Sequence, residues 1–177
     1  MTTPDIVDYI NSHIEGDAQS FSSYFGDAVS RATSRPSPLD RDITDLEGRE
    51  LRVLEVGQGD IAPSAVLHIP SLDAVVAGDV AYLQIHQMLA LAGPAEWDKW
   101  IASIGIIERL HPRIVVAGHK KPEAPDDEAE KILHCTRSYI QDFAEAARSF
   151  GTVEEIAAAM RSKYPNHGNL IALLFSA

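Results

Sequence analysis

The chain has 177 residues, 45% hydrophobic and 23% charged, with 15 basic against 26 acidic side chains and a formal net charge of −11. That length and composition fit one globular domain with its own core, and the acidic balance argues against a surface built for nucleic-acid phosphates or anionic membranes. A single cysteine, Cys135, excludes an intrachain disulfide; no apolar run reaches membrane-spanning length, and the first residues lack a signal peptide's basic start, so a soluble, cytoplasmic protein is expected.

The first expected helix covers residues 3–14. Thr3 is placed to cap, Pro4 suits the first helical position, and Ile6, Val7, Ile10 and Ile14 share a face. A second, weaker helical stretch is expected from Asp17 to Arg31, and Ser34-Arg35-Pro36-Ser37-Pro38 then interrupts regular structure because proline lacks the N–H and fixes φ. Residues 1–33 thus form an N-terminal helical segment of a single domain spanning 1–177.

The middle of the chain reads as strands. Leu51–Val56, Ala65–Ile69, Ala74–Ala77 and Ile114–Ala117 are short aliphatic runs bounded by Gly, Pro or Asp. The last two are apolar throughout, which predicts burial on both faces. A helix is expected over 80–91 and another over 94–110, where Trp97, Trp100, Ile101, Ile104 and Ile107 recur at helical spacing. A long helix is expected from Pro125-Asp126-Asp127 to Gly151, and Thr152-Val153-Glu154-Glu155 is a capping box for the next. Strands, then strand–helix–strand, then helices make an α/β layered domain.

Two strands end alike: Val75-Val76-Ala77-Gly78-Asp79 and Val115-Val116-Ala117-Gly118-His119. Each apolar run reaches a glycine that frees the backbone and then presents an ionisable side chain. If the strands are neighbours, Asp79 and His119 emerge at one sheet edge, where α/β folds place their sites. The simpler reading is turn chemistry at both positions.

Residues 51–122 resemble the second half of a metallo-β-lactamase-fold hydrolase. The resemblance is carried by Leu51-Arg52-Val53-Leu54-Glu55-Val56-Gly57-Gln58, Ser64-Ala65-Val66-Leu67-His68-Ile69-Pro70 and the two strand ends just quoted, and it extends through the C-terminal helices. It implies that 41–177 is the C-terminal half of an αββα sandwich, a mixed sheet covered by helices, with two metals, usually zinc, at one edge. By position Asp79 matches the acid that bridges both metals and His119 the last histidine ligand. Gln58 stands where the family has its middle histidine, and a neutral amide is a poor zinc ligand.

The family's first motif, His-x-His-x-Asp-His, does not occur in these 177 residues; the seven histidines lie at 13, 68, 86, 111, 119, 134 and 167, never closer than eight residues. Two candidate ligands fall short of the three that a catalytic zinc requires. The expectation is therefore a degenerate member of that superfamily, without a cofactor and without autonomous zinc hydrolysis. One alternative is a hydrolase- or lyase-type enzyme that uses Asp79, His119 and Asp60 as acid–base groups, metal-free or with zinc completed by another chain. The other is a non-catalytic binding or assembly module. Gln58, His86 and Lys120 are candidate substrate-pocket residues. A small-molecule substrate and a homodimer through the apolar sheet face are the expected partners, with no nucleic acid and no membrane.

Overall fold

The computed structural model describes residues 2–28 and 34–177. Helix α1 (Pro4–Phe25) opens with proline at its first position behind Thr3 and buries Val7. It runs without interruption through Gly16, so the two expected N-terminal helices are one, followed by a 3-10 turn at Gly26–Ala28. The remainder of the expected helical segment, 29–33, lies outside the described residues.

Five strands follow: β1 (Ile43–Leu46), β2 (Arg49–Gly57), β3 (Ser64–Ile69), β4 (Ala74–Leu83) and β5 (Ile114–Lys120). They form one mixed sheet in the order β1-β2-β3-β4-β5, antiparallel except for the parallel pair β4–β5. The first strand is an addition to the sequence expectation; Ile43-Thr44-Asp45-Leu46 mixes polar and apolar residues and is mostly exposed, a weak signal for an edge.

Helices α2 (Pro94–Glu108) and α3 (Ala129–Ser149) cover one face of the sheet. Val66, Val75, Ala77, Val115 and Ala117 face them, with Trp100, Ile104, Ile132, Leu133, Ile140 and Phe143 opposite, all in one buried cluster. Both tryptophans belong to this core, and the Trp100 indole N–H donates to the Val80 carbonyl at 2.9 Å. The parallel β4–β5 connection through α2 is what brings the two Gly-ended strands side by side.

Two further helical expectations change. Residues 80–83 continue β4 instead of starting a helix, and 84–91 is irregular. Gly78, at φ +51°, accommodates a bulge, after which Tyr82 and Leu83 pair with His119 and Lys120 of β5. Gln84, at φ +59°, ends the strand. The long helix begins at Ala129 and not at Pro125, because Asp126 is engaged elsewhere: its carbonyl accepts from the Val115 N–H at 2.8 Å and its carboxylate pairs with Lys120 at 2.9 Å. Helix α4 (Val153–Lys163) has the expected box, the Glu155 N–H donating to Thr152 Oγ1 at 3.3 Å and the Thr152 hydroxyl to the Glu155 carboxylate at 3.1 Å. The short α5 (Leu170–Ser176) docks through Ala172 and Leu173, leaving Ile171, Leu174 and Phe175 exposed. No helix among the described residues is long and apolar enough to cross a membrane.

Candidate functional site

Parallel register places the ends of β4 and β5 together. His119 Nε2 lies 3.1 Å from Asp79 Oδ1, and each side chain is about half exposed, 49% and 50%. Gly118 makes this approach possible. A Cβ there would stand 2.5 Å from Asp79 Oδ1 and 2.5 Å from the Gly78 carbonyl carbon, closer than carbon atoms tolerate.

Beneath this pair lies Tyr82, buried to 2% exposure. Its ring stacks on the His119 imidazole, with centroids 5.0 Å apart and planes at 28°. Its hydroxyl donates to Asp60 Oδ2 at 3.3 Å. Helix α3 pins the backbone of Tyr82, whose N–H donates to Thr136 Oγ1 at 3.1 Å. Reading 80–91 as a helix hides this role. As a strand residue three positions beyond Asp79, Tyr82 sits in register with His119.

Asp60 is the buried charge of the site. Loss of hydration pushes its carboxyl up to about 6, and the neighbouring Asp79 carboxylate pushes the same way, against the opposing pull of the Ile61 N–H, the Tyr82 hydroxyl and His119. Tyr82 is held protonated by burial, reinforced by Asp60. Gly59 enables this packing too, since a Cβ there would lie 2.8 Å from Ser64 Oγ and 3.3 Å from the Asp79 carbonyl oxygen.

The other sequence candidates divide. Gln58, two residues before Asp60, is buried, its amide donating to the Gly59 carbonyl at 3.2 Å and its N–H to Ser103 Oγ of α2 at 3.1 Å. Lys120 turns away from His119: its ammonium donates to the Ala124 carbonyl at 2.6 Å and pairs with Asp126. His86 joins a different group, Tyr139 and His167, away from Asp79 and His119. Cys135 is half-buried, and desolvation raises its thiol, which disfavours the nucleophilic thiolate.

Against this geometry, no family model matches the sequence, and no curated protein matches it either. Solved structures do match. A metallo-β-lactamase family protein from Thermus thermophilus superposes with a TM-score of 0.59 at 16% identity, over 99% of this chain and 64% of that one. A double mutant of the sec-alkyl sulfatase PisA1 gives 0.53 at 16% identity, over 81% of this chain and 26% of that one.

The chain has part of the metallo-β-lactamase fold. At these identities the likeness is one of fold alone. A metallo-β-lactamase from Pontibacter korlensis aligns with a TM-score of 0.47 at 19% identity, over 70% of this chain and 54% of that one. The chain therefore spans between about a quarter and just under two thirds of the lengths of these three structures.

That fold implies metal at the strand edge, and the donor set tests the implication. Among the described residues no three His, Cys, Asp or Glu side chains converge as a metal ion requires. Asp79 Oδ1 is already against His119 Nε2, and Asp60 accepts from Tyr82 behind the ring. One carboxylate and one imidazole do not fit a resident zinc ion.

Proposed function

We infer that this 177-residue chain has no autonomous zinc hydrolase activity. The strand edge of its metallo-β-lactamase-like scaffold is a degenerate site that operates without a zinc ion of its own. The supporting observation is the Asp79–His119 pair: two ligand-type side chains in mutual contact, 3.1 Å apart, where three protein ligands are needed. Gln58 supports the same reading, since its amide group donates to the Gly59 carbonyl.

The exposed Asp79–His119 contact favours a second reading, metal-free acid–base chemistry on a small ester or lactone. In that reading Asp79 orients the exposed His119 imidazole, which takes a proton from a water as its oxygen bonds to the ester carbonyl carbon and returns that proton to the leaving oxygen as the acyl C–O bond breaks. Asp60 sets the charge of the site from behind Tyr82, because the ring stack between Tyr82 and His119 provides no proton path.

The test combines metal analysis of protein purified without a metal-affinity step, zinc titration, and turnover of p-nitrophenyl acetate and a γ-lactone with and without chelator. Expected are substoichiometric metal and weak zinc binding. Chelator-insensitive turnover lost in His119→Ala supports the acid–base reading; no turnover leaves a binding or assembly module. Tight zinc at one equivalent, lost in Asp79→Ala, overturns the proposal.

A further inference from the structure

A second polar cluster lies apart from the strand edge. Segments 84–86 and 167–169 are stitched together: the Gly168 N–H donates to the Gln84 carbonyl at 3.1 Å and the His86 N–H to the Gly168 carbonyl at 2.8 Å. Above them is a groove of about 530 Å³, lined by His86, Ala158, Arg161, Tyr164, Pro165 and Leu170 among others.

His86 forms its floor and is 2% exposed. Its Nδ1 lies 2.8 Å from the Tyr139 hydroxyl, while Nε2 has no hydrogen-bond partner among the described residues. The hydrogen-bond pattern assigns the tautomer. Burial keeps Tyr139 protonated, and among the described residues its hydroxyl has no hydrogen-bond acceptor other than His86 Nδ1. The phenol proton therefore goes to His86 Nδ1, and the ring proton of neutral His86 resides on Nε2. Burial and the nearby Arg161 charge both hold His86 neutral, and burial does the same for His167, pushed down to about 4.

The groove thus offers one N–H donor, His86 Nε2–H, at its floor. Arg161 lines the rim and exerts its charge on His86, while Lys121 acts on the adjacent His167. Cations converge here on a chain of net charge −11. The remaining wall mixes Ser162, Tyr164 and His167 with the apolar Ala158, Pro165 and Leu170. A planar guanidinium beside a single N–H suits a carboxylate, and the Ala158, Pro165 and Leu170 side suits a short hydrocarbon body.

We propose that this groove binds a small organic carboxylate, its oxygens on the His86 Nε2–H and the Arg161 guanidinium and its apolar body against Ala158, Pro165 and Leu170. The site is separate from the Asp79–His119 edge and stands whether or not that edge is catalytic.

The test is a titration of the 177-residue chain with hexanoate at neutral pH, followed by calorimetry and by the histidine-ring nitrogen signals of His86 and His167. Hexanoate is expected to shift both rings saturably. The neutral isostere n-hexanol should bind about tenfold more weakly, and Arg161→Gln should weaken hexanoate about tenfold at unchanged melting temperature. Arg161 is exposed, so this variant should fold even where a His86 replacement does not. Unmoved rings at about 10 mM hexanoate, equal binding of n-hexanol, equal binding by Arg161→Gln, or displacement of hexanoate by equimolar inorganic phosphate would each overturn the proposal.

Discussion

Tyr82 lies flat beneath His119, ring centroids 5.0 Å apart, and couples that half-exposed imidazole to the buried Asp60, which its hydroxyl meets at 3.3 Å. Tyr82→Phe keeps the stack and removes the donor. The Tyr82 hydroxyl pulls the Asp60 carboxyl down, so the variant should titrate Asp60 above its present value of about 6. Stability at neutral pH should fall by about 1–3 kcal/mol, the cost of stripping a hydrogen bond from a buried carboxylate. Carboxyl carbon NMR and denaturant melts check both; an Asp60 titration that does not move would contradict the geometry.

Asp60 itself predicts a pH dependence. Its folded-state carboxyl stands at about 6 against an ordinary 3.8, so the folded chain binds the extra proton between these values. The stabilising contribution of neutral Asp60 is full below pH about 4 and is lost as pH rises through about 6. Asp60→Asn should therefore be more stable than the parent at pH about 7, by up to about 3 kcal/mol, with the difference shrinking towards pH about 4. Asp79→Asn should lower the Asp60 titration, because the Asp79 charge helps to raise it. Urea melts at the two pH values decide the first, and a stability difference that ignores pH would refute it.

Gly118→Ala tests the close approach of β4 and β5. The new methyl would meet Asp79 Oδ1 and the Gly78 backbone at 2.5 Å, and backbone cannot swing aside as a flexible side chain does. The expected loss is about 1–3 kcal/mol or more, together with a changed His119 ring signal. A variant as stable as the parent, with His119 unmoved, would show that the strand ends are further apart.

The face of the sheet away from α2 and α3 carries the register neighbours Val53, Leu67, Val76 and Val116, all partly exposed. Among the described residues helix α1 makes few contacts with the strands. We expect a second copy to cover this face, through an isologous interface of about 2,000 Å². Light scattering after size exclusion should give twice 19.3 kDa, and Val76→Lys should give the single mass. A parent chain of one mass unit at all micromolar concentrations would remove the dimer.

Much of this architecture is legible in the residues. The aliphatic runs at Ala74–Ala77 and Ile114–Ala117, each followed by Gly and an ionisable group, announce neighbouring strands with Asp79 and His119 at one edge, because period and turn chemistry are local. Thr152 and Glu155 announce the start of α4 for the same reason: a cap and its partner are three residues apart.

What tertiary structure decided is everything that depends on a distant partner. Val80-Ala81-Tyr82-Leu83 is apolar at every position, so no period separates helix from strand; pairing with β5, more than thirty residues later, settles it as strand and turns Tyr82 under His119. Asp60 follows a glycine and reads as a turn residue until Tyr82 and Asp79 are folded around it, when lost hydration and a neighbouring charge raise its carboxyl. His86 takes its ring partner, Tyr139, from α3, 53 residues away. Local hydrogen bonding and side-chain periodicity are written in neighbouring residues, whereas desolvation, Coulomb interaction and parallel pairing arise only once remote segments meet.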